Sequence, residues 1–497
     1  MNIFFFYTGS PTPILETDFE LIRKHDKAGD NIRVLQCTGN LPNCHWNLNH
    51  DDSLCSICVS KFKNGWDVLK PSRNVELIKF NVSDDVVVNF PPAFKSVNEV
   101  KAYKFDNENI GYGVASTLIS IFRDHRFDTN RYYAEIIRTL TSAIEIYKTL
   151  KFQFEQFKPD RVYLFNGRIA TQLPARLLCK KMGIEYLTYE VANKENSYRL
   201  VKNSTTHEPI AFDEADLLRS NWNTDSAKLA DLFYRKKRDR VNFENLIHFT
   251  NYQKKGTLPK SFDFNKKNIA IFNSTIDEYA AIEDWYSMYS PDETTGIGKI
   301  LESFISDDYI FYLRVHPHMK EVSSCTSQLV DIRELAQKFK NLHVIWPDNI
   351  VDTYALIDAC DKVITFGSTV GVEATYWGKP SICAGHALYK NFHCVYWPHS
   401  HEELVQLLRS ELKPMPVEGA LQYAFWEINN GIKFQYFKQK GFKNNLAYGT
   451  FDGVEIKPSL YALLLYNVTN FPRRLKRLMM NPSLIILKLR HIFRRDK

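Results

Sequence analysis

Apolar runs of strand length alternate with amphipathic stretches along most of this chain. NIFFFY (2–7) is continuously apolar, and ETDFELIRKHDKAG (16–29) spaces its apolar residues for one helix face before a glycine stop. NIRVLQC (31–37) and NVELIKF (74–80) predict further strands, with a Cys-rich loop between them. Residues 131–157 read as a long amphipathic helix. RVYLF (161–165) reads as a strand, ATQLPARLLCKKMG (170–183) as a helix and IEYLTYE (184–190) as a strand. A more polar helical stretch covers 214–251. Residues 251–267, NYQKKGTLPKSFDFNKK, lack periodicity and predict a linker. The alternation then restarts. Strands are expected at NIAIF (268–272), YIFYLRV (309–315), LHVIW (342–346), KVITF (362–366) and SICAG (381–385). Helices are expected at DEYAAIEDWYSMY (277–289), QLVDIRELAQKF (328–339), DTYALIDAC (352–360), VGVEATYWG (370–378) and HEELVQLLRS (401–410).

Strands and helices alternating at such short spacing imply parallel βαβ units with right-handed crossovers. The fold class is therefore α/β, with two doubly wound Rossmann-like domains facing a cleft. We place an N-terminal, acceptor-side domain at 1–250, the linker at 251–267, a nucleotide-binding domain at 268–415 and a helical segment with a basic tail at 416–497. At 497 residues, 44% apolar and 24% charged, the chain has material for two large cores. No internal repeat or low-complexity run interrupts it. The opening MNIFFFYTG lacks a basic flank and is too short for a signal peptide or a spanning helix, so it predicts a buried strand.

The net charge of +7 has one source. Residues 471–497 carry nine Lys/Arg and one acid, a segment of +8 that leaves the body at −1. There the basic residues are interleaved with LMM and LIIL, the mixture an anionic membrane surface attracts. Nothing resembles a helix-turn-helix, finger or aromatic-basic sheet, so nucleic acid is not an expected partner. The expected location is cytoplasmic, at the inner face of the cell membrane. Of nine cysteines, Cys37, Cys44, Cys55 and Cys58 cluster within CTGNLPNCHWNLNHDDSLCSIC, with His45 and His50 between them. Four thiolates at this spacing suit a structural zinc; an iron–sulfur site, a redox pair and plain packing are the alternatives.

In open parallel sheets ligands bind beyond the carboxyl ends of the strands. Three polar loops fall there: Asn273-Ser274-Thr275 after IAIF, His316-Pro317-His318 after FYLRV, and Gly367-Ser368-Thr369 after VITF. Backbone N–H groups at a helix start, with small hydroxyl side chains, suit a phosphate. His316 and Arg314 can add donors or positive charge, and Glu373 can accept from a ribose diol. Singly, each loop reads as plain N-capping; three in one domain point to a nucleotide site.

The set FNSTIDEYAAI, LRVHPHMK and WPDNIVDTYALIDACDKVITFGSTVGVEATYWGKPSI resembles nucleotide-sugar glycosyltransferases of the GT-B fold from bacterial capsule and O-antigen clusters, over about residues 268–400. The resemblance is strongest to the capsule polysaccharide biosynthesis family. It implies that His316, Pro317, Ser368 and Thr369 hold the donor phosphates and that Glu373 meets the ribose. A large retaining branch of that fold has Glu-x7-Glu ending at this position; here the first member is Thr365, which speaks against that branch. No Asp-x-Asp pair of the metal-dependent transferases is present, so no catalytic metal is expected.

Glycosyl transfer expels a nucleoside phosphate or diphosphate through an oxocarbenium-like state, and fixed donors and positive charge stabilise that leaving group. An inverting enzyme also needs a base. Glu190, ending the strand IEYLTY, is the leading candidate, with Glu16 and Asp18 as rivals. Asn166-Gly167-Arg168 is the expected acceptor-contact loop. The reading is transfer of a sugar to a surface polysaccharide or lipid-linked glycan. Its alternatives are a polyol-phosphate transferase, a nucleotide-sugar 2-epimerase, or a non-catalytic scaffold of a polysaccharide assembly complex.

Overall fold

The structure, a computed structural model, describes all residues except Ser10 and residues 82–88, 242–249, 284–287, 306–307, 444–445 and 481–497. Its elements run β1 (Asn2–Tyr7), α1 (Ile14–Lys27), β2 (Asn31–Cys37), α2 (Asp52–Leu69), β3 (Val75–Phe80), α3 (Val97–Lys101), α4 (Gly111–Phe122), α5 (Tyr133–Phe157), β4 (Arg161–Phe165), α6 (Leu173–Met182), β5 (Glu185–Val191), β6 (Ser197–Lys202), α7 (Phe212–Ser220) and α8 (Thr224–Asp239). There follow β7 (Lys267–Phe272), α9 (Glu293–Glu302), β8 (Tyr309–Arg314), α10 (Ser327–Lys338), β9 (Leu342–Ile345), α11 (Thr353–Ala359), β10 (Lys362–Thr365), α12 (Val370–Tyr376), β11 (Ser381–Cys383) and α13 (His401–Arg409). The chain ends with α14 (Val417–Asn429), β12 (Ile432–Lys433), β13 (Phe437–Lys443), β14 (Leu446–Phe451) and α15 (Leu460–Met480). Two compact units result. Unit 1 is Met1–Val87, Lys148–Tyr163 and Phe434–Lys497; unit 2 is Val88–Tyr147 and Leu164–Lys433.

In unit 1 the strands pair in parallel in the order β3-β2-β1-β4. β1 is buried on both faces, which is why it reads as an unbroken apolar run. Phe4 meets Phe154 edge-on at 5.1 Å, and Phe5 stacks on Tyr163 at 5.0 Å. The segment expected to be a Cys-rich loop instead ends in α2. Asp51 caps that helix by accepting from the Ser53 N–H at 2.9 Å, so Cys55 and Cys58 lie on a helix. The C-terminal segment, expected to be helical, also holds the antiparallel hairpin β13-β14. The buried Glu20 carboxylate of α1 accepts from the backbone of Gln435 and Tyr436, both at 2.8 Å, and so fixes the approach to that hairpin. No helix among the described residues is long and apolar enough to cross a membrane.

Unit 2 contains a five-stranded parallel sheet in the order β11-β10-β7-β8-β9. The strand order reverses between β7 and β10, the place where doubly wound sheets open a crevice. Ile269, Ile271, Phe311 and Leu313 pack with Ile297, Ile300 and Ile332 of α9 and α10 in one core. Ala270, Phe272, Tyr312 and Val363 pack with Leu356, Ile357 and Ala374 of α11 and α12 in another. The helix expected over 277–289 is absent among the described residues. A short 3-10 turn covers Ile276–Glu278, and α9 starts later, where Asp292 accepts from the Thr295 N–H at 3.0 Å. The rest of unit 2 includes β5, β6 and β12, which pair antiparallel. Residues 251–267 are strapped onto the five-stranded sheet, with Phe262 stacked on Tyr312 at 4.8 Å.

Candidate active site

The three strand-end loops of unit 2 are tied to one another. Asn273 Oδ1 accepts from the His316 N–H at 2.9 Å, joining the ends of β7 and β8. Ser274 Oγ reaches the Phe366 carbonyl at 3.5 Å, linking β7 to β10. Gly367 has φ of +120°, and a Cβ there would stand 2.3 Å from the His386 carbonyl oxygen, so this turn requires glycine. Only the Gly367-Ser368-Thr369 loop enters an α-helix. The other two polar loops lead into 3-10 turns, Ile276–Glu278 and Pro317–Glu321, which offer little dipole.

A cavity of about 180 Å³ opens at these strand ends, lined by Asn273, Arg314, His316, Pro317, Ser368, Thr369 and Glu373. Sequence spacing alone does not reveal two of its other wall residues. Lys237 of α8 pairs with Glu373 Oε1 at 2.7 Å, and Tyr354 of α11 donates to Glu373 Oε2 at 2.7 Å. Thr369 Oγ1 also donates to Glu373 at 3.3 Å. The carboxylate is 3% exposed and thus stands oriented by three donors, with capacity for one more. Arg314 is 2% exposed. Its guanidinium donates to the Asn349 carbonyl at 3.1 Å and to the Tyr252 hydroxyl at 2.8 Å, while its Nε is buried without a partner.

Of the two roles expected of His316, donor or positive charge, its surroundings favour the donor. Burial pushes its pKa down to about 4, and its Nδ1 accepts from the His318 N–H at 3.2 Å. It is a neutral imidazole whose Nε2 carries the proton as a donor. The fixed positive charge is that of Arg314 and Lys237.

A second cavity, of about 580 Å³, is lined by Asn166, Arg168, Glu190 and His207 together with Ser274 and Gly367. Two of the strand-end loops therefore border both cavities. Asn166 Nδ2 donates to Glu190 Oε1 at 2.6 Å and reaches His207 Nε2 at 3.1 Å. Burial raises the Glu190 carboxyl above its ordinary range, against the opposing pull of Asn166 and Arg168. Burial pushes His207 down to about 3, so it is neutral. Arg168 is held by the Ser116 hydroxyl at 2.9 Å. Gly167 follows Asn166 in a left-handed turn that ends β4. Glu16 and Asp18 are buried in unit 1, where Glu16 faces Lys61 at 3.2 Å and accepts from Thr12 at 2.9 Å. Thr275 is buried in the loop and opens the turn after it.

Cys37, Cys44, Cys55 and Cys58 line one small cavity in unit 1, of about 120 Å³, beside Trp46. Burial and the neighbouring thiols push Cys37 and Cys44 up to about 12. Among the described residues, only His125, Asp292 and Asp331 bring three ligating atoms within 4.8 Å of one another, so the four sulfurs are more widely spread. In that group Asp331 pairs with Arg126 and Asp292 with His125, which accounts for the carboxylates.

Residues 279–400 match the family described as capsule polysaccharide biosynthesis protein. No curated protein matches the chain. Among solved structures it is similar to the Thermosulfurimonas dismutans KpsC β-Kdo 2,4-transferase, at 13% identity over 61% of this chain and 86% of that one, with a TM-score of 0.32. It is also similar to CalG4, the calicheamicin glycosyltransferase, at 10% identity over 86% and 94%, TM-score 0.26. A third similarity is to the Methanocaldococcus jannaschii UDP-GlcNAc 2-epimerase in complex with UDP-GlcNAc and UDP, at 12% identity over 85% and 98%, TM-score 0.27. Likenesses at this level carry no weight for the reaction. The matched stretch spans β8 to β11 and includes the His316 and Gly367 loops.

Proposed function

We propose that the protein is a glycosyltransferase of the GT-B type, moving a sugar from a nucleotide-sugar donor to a surface polysaccharide or lipid-linked glycan. One observation carries this reading. A half-buried carboxyl with a raised pKa, Glu190, shares a cavity with two strand-end loops, and those loops border a smaller cavity built for an anion and a diol. In the smaller cavity Arg314, His316, Ser368 and Thr369 meet the donor phosphates, and Glu373, steadied by Lys237 and Tyr354, accepts from the ribose. Arg314 and Lys237 stabilise charge as the nucleotide leaves, without reorganising. Glu190 takes the acceptor hydroxyl proton, and Asn166 orients it; a raised pKa brings a carboxylate closer to a base poised for neutral pH. Arg168 contacts the acceptor.

Two further calls stand as proposals. Leu460, Tyr461, Leu464 and Val468 of α15 are exposed at helical spacing, and Arg473, Arg474, Lys476 and Arg477 follow in sequence. This combination supports binding at an anionic membrane surface, on the cytoplasmic side where a nucleotide-sugar is available. The basic tail beyond residue 480 lies outside the described residues. The four clustered cysteines would hold a structural zinc once the ion drew their sulfurs together.

The test is a thermal-shift series with UDP, GDP, CDP, CMP and dTDP on wild type and His316→Ala. Stabilisation by one nucleotide, lost in the variant, is expected. No shift with any nucleotide rejects the reading. Deleting residues 471–497 should release the protein from anionic liposomes, and unchanged flotation rejects the membrane call.

A further inference from the structure

A third cavity in unit 2, of about 640 Å³, belongs to neither site above. Its size is that of a ligand site. Tyr279 and Ile282 line both it and the Glu190 cavity, so the two spaces meet across the turn that follows β7. Six ionisable side chains face it: Lys95, Lys101, His125, Arg126, Asp128 and Asp292. Four are accounted for. Arg126 pairs with Asp331, and His125 with Asp292 at 3.1 Å. Asp128 accepts from the backbone N–H groups of Asn130 and Arg131, both at 3.0 Å. Lys101 donates to the Ala280 carbonyl and the Lys95 backbone N–H donates to Glu99 at 2.7 Å, but neither ammonium pairs with a carboxylate among the described residues. Burial lowers the Lys101 ammonium, as expected of a cation short of both water and a counter-ion. Tyr112 and Tyr279 add aromatic surface to the wall.

We propose that this cavity receives the acceptor strand, and that the strand is an anionic glycan whose charges meet Lys95 and Lys101 while its terminal hydroxyl passes Tyr279 toward Glu190. The proposal rests on the transfer reading above. The charge can sit on a carboxylate or on a phosphodiester, and the two share the same recognition chemistry.

The experiment measures binding of three probes by calorimetry: an oligogalacturonate hexamer, a glycerol-phosphate oligomer and neutral maltohexaose. Wild type is compared with Lys95→Gln and with Lys95→Gln/Lys101→Gln, and nucleotide-induced thermal shifts are recorded alongside. The expected result is binding of at least one anionic probe, weakened at least threefold in the single variant and at least tenfold in the double. Which anionic probe binds names the charged group. Lys95 is exposed, so the single variant stays folded and keeps the test open if the double variant does not. Equal binding of maltohexaose, wild-type affinity in the variants, or no binding of any probe would overturn the proposal. If nucleotide shifts are present while the probes fail, this inference alone falls. If an anionic probe binds and no nucleotide does, the transfer reading falls and the anion site stands.

Discussion

Glu293 offers the sharpest test of how the Asn273–Thr275 loop is held. It opens α9 and is 3% exposed. Its Oε2 accepts from the Ser274 N–H at 3.2 Å, and its Oε1 from Gln328 Nε2 at 2.9 Å. Gln328 in turn donates to the Ser274 carbonyl at 2.8 Å and accepts from the Ile276 N–H at 3.2 Å. This pair is a brace beneath the loop that borders both cavities. Burial, aided by the charge of Asp292 and opposed by hydrogen bonds from Tyr279, Ser274 and Asn273, pushes the Glu293 carboxyl up from 4.5 to about 8. The folded state therefore binds the proton more tightly than the unfolded chain. The associated stability is full below about pH 4.5 and is lost as pH rises through 8. A shift of that size corresponds to about 5 kcal/mol in all, at roughly 1.36 kcal/mol per unit. Glu293→Gln removes the titration. Its amide must turn an N–H toward one of two donors, Ser274 N or Gln328 Nε2, a fixed cost that does not vary with pH. Other titrating groups are common to both proteins, so the informative quantity is the difference in melting temperature across pH 5 to 9. The variant should gain on wild type by several degrees as pH rises to 8 and then hold level. A difference flat with pH would show that Glu293 does not titrate there and would refute this account of the brace.

Three other outcomes follow from the same geometry. Lys237→Met leaves the buried Glu373 carboxylate with only Tyr354 and Thr369; because Lys237 is 23% exposed, the loss should be nearer ~2–3 kcal/mol than the larger cost of a fully buried pair. In a thermal-shift cycle with Glu373→Gln the double variant should lose less than the sum of the singles, and strict additivity would deny the coupling. Glu190→Gln should lower turnover by about 10²- to 10⁴-fold with nucleotide stabilisation intact; turnover near wild type would remove Glu190 as the base. Elemental analysis should find zinc in the wild type and lose it in Cys55→Ser/Cys58→Ser; metal-free wild type would leave the four thiols as packing.

The parallel strands were legible because burial on both faces leaves them apolar without interruption. NIAIF marks β7 to within one residue, and NIFFFY is β1 itself. β6 (SYRLVK) and β13 (FKQKGFK) were not, because polar residues recur through antiparallel strands that bury less of their surface. α2 was hidden by its own composition. Four cysteines drew that segment toward a loop reading, and Gly65 inside the helix weakens its helical pattern. The structure supplies the reason for that glycine: a Cβ would stand 2.2 Å from the Phe19 ring. Tertiary packing, rather than local preference, selects the residue.

At the site, the legible part was whatever directly follows a strand. Asn273, His316, Ser368 and Thr369 are found by position, because the carboxyl ends of parallel strands are where a doubly wound sheet opens. The illegible part is the partners that fix their chemistry. Lys237 lies 136 residues before Glu373, on a polar helix with no local signature, yet it stands 2.7 Å from that carboxylate. His207 shares Asn166 with Glu190 from a different element. These contacts also redistribute the roles. A histidine in a strand-end loop invites the assumption of a cation for phosphate. Burial keeps His316 neutral, whereas a guanidinium stays charged even where burial lowers its pKa, as at Arg314. On the proposed transfer, the leaving group would then meet a charge that does not change near neutral pH, and the titration that matters there would move to the carboxyls, Glu190 in the larger cavity and Glu293 beneath the loop.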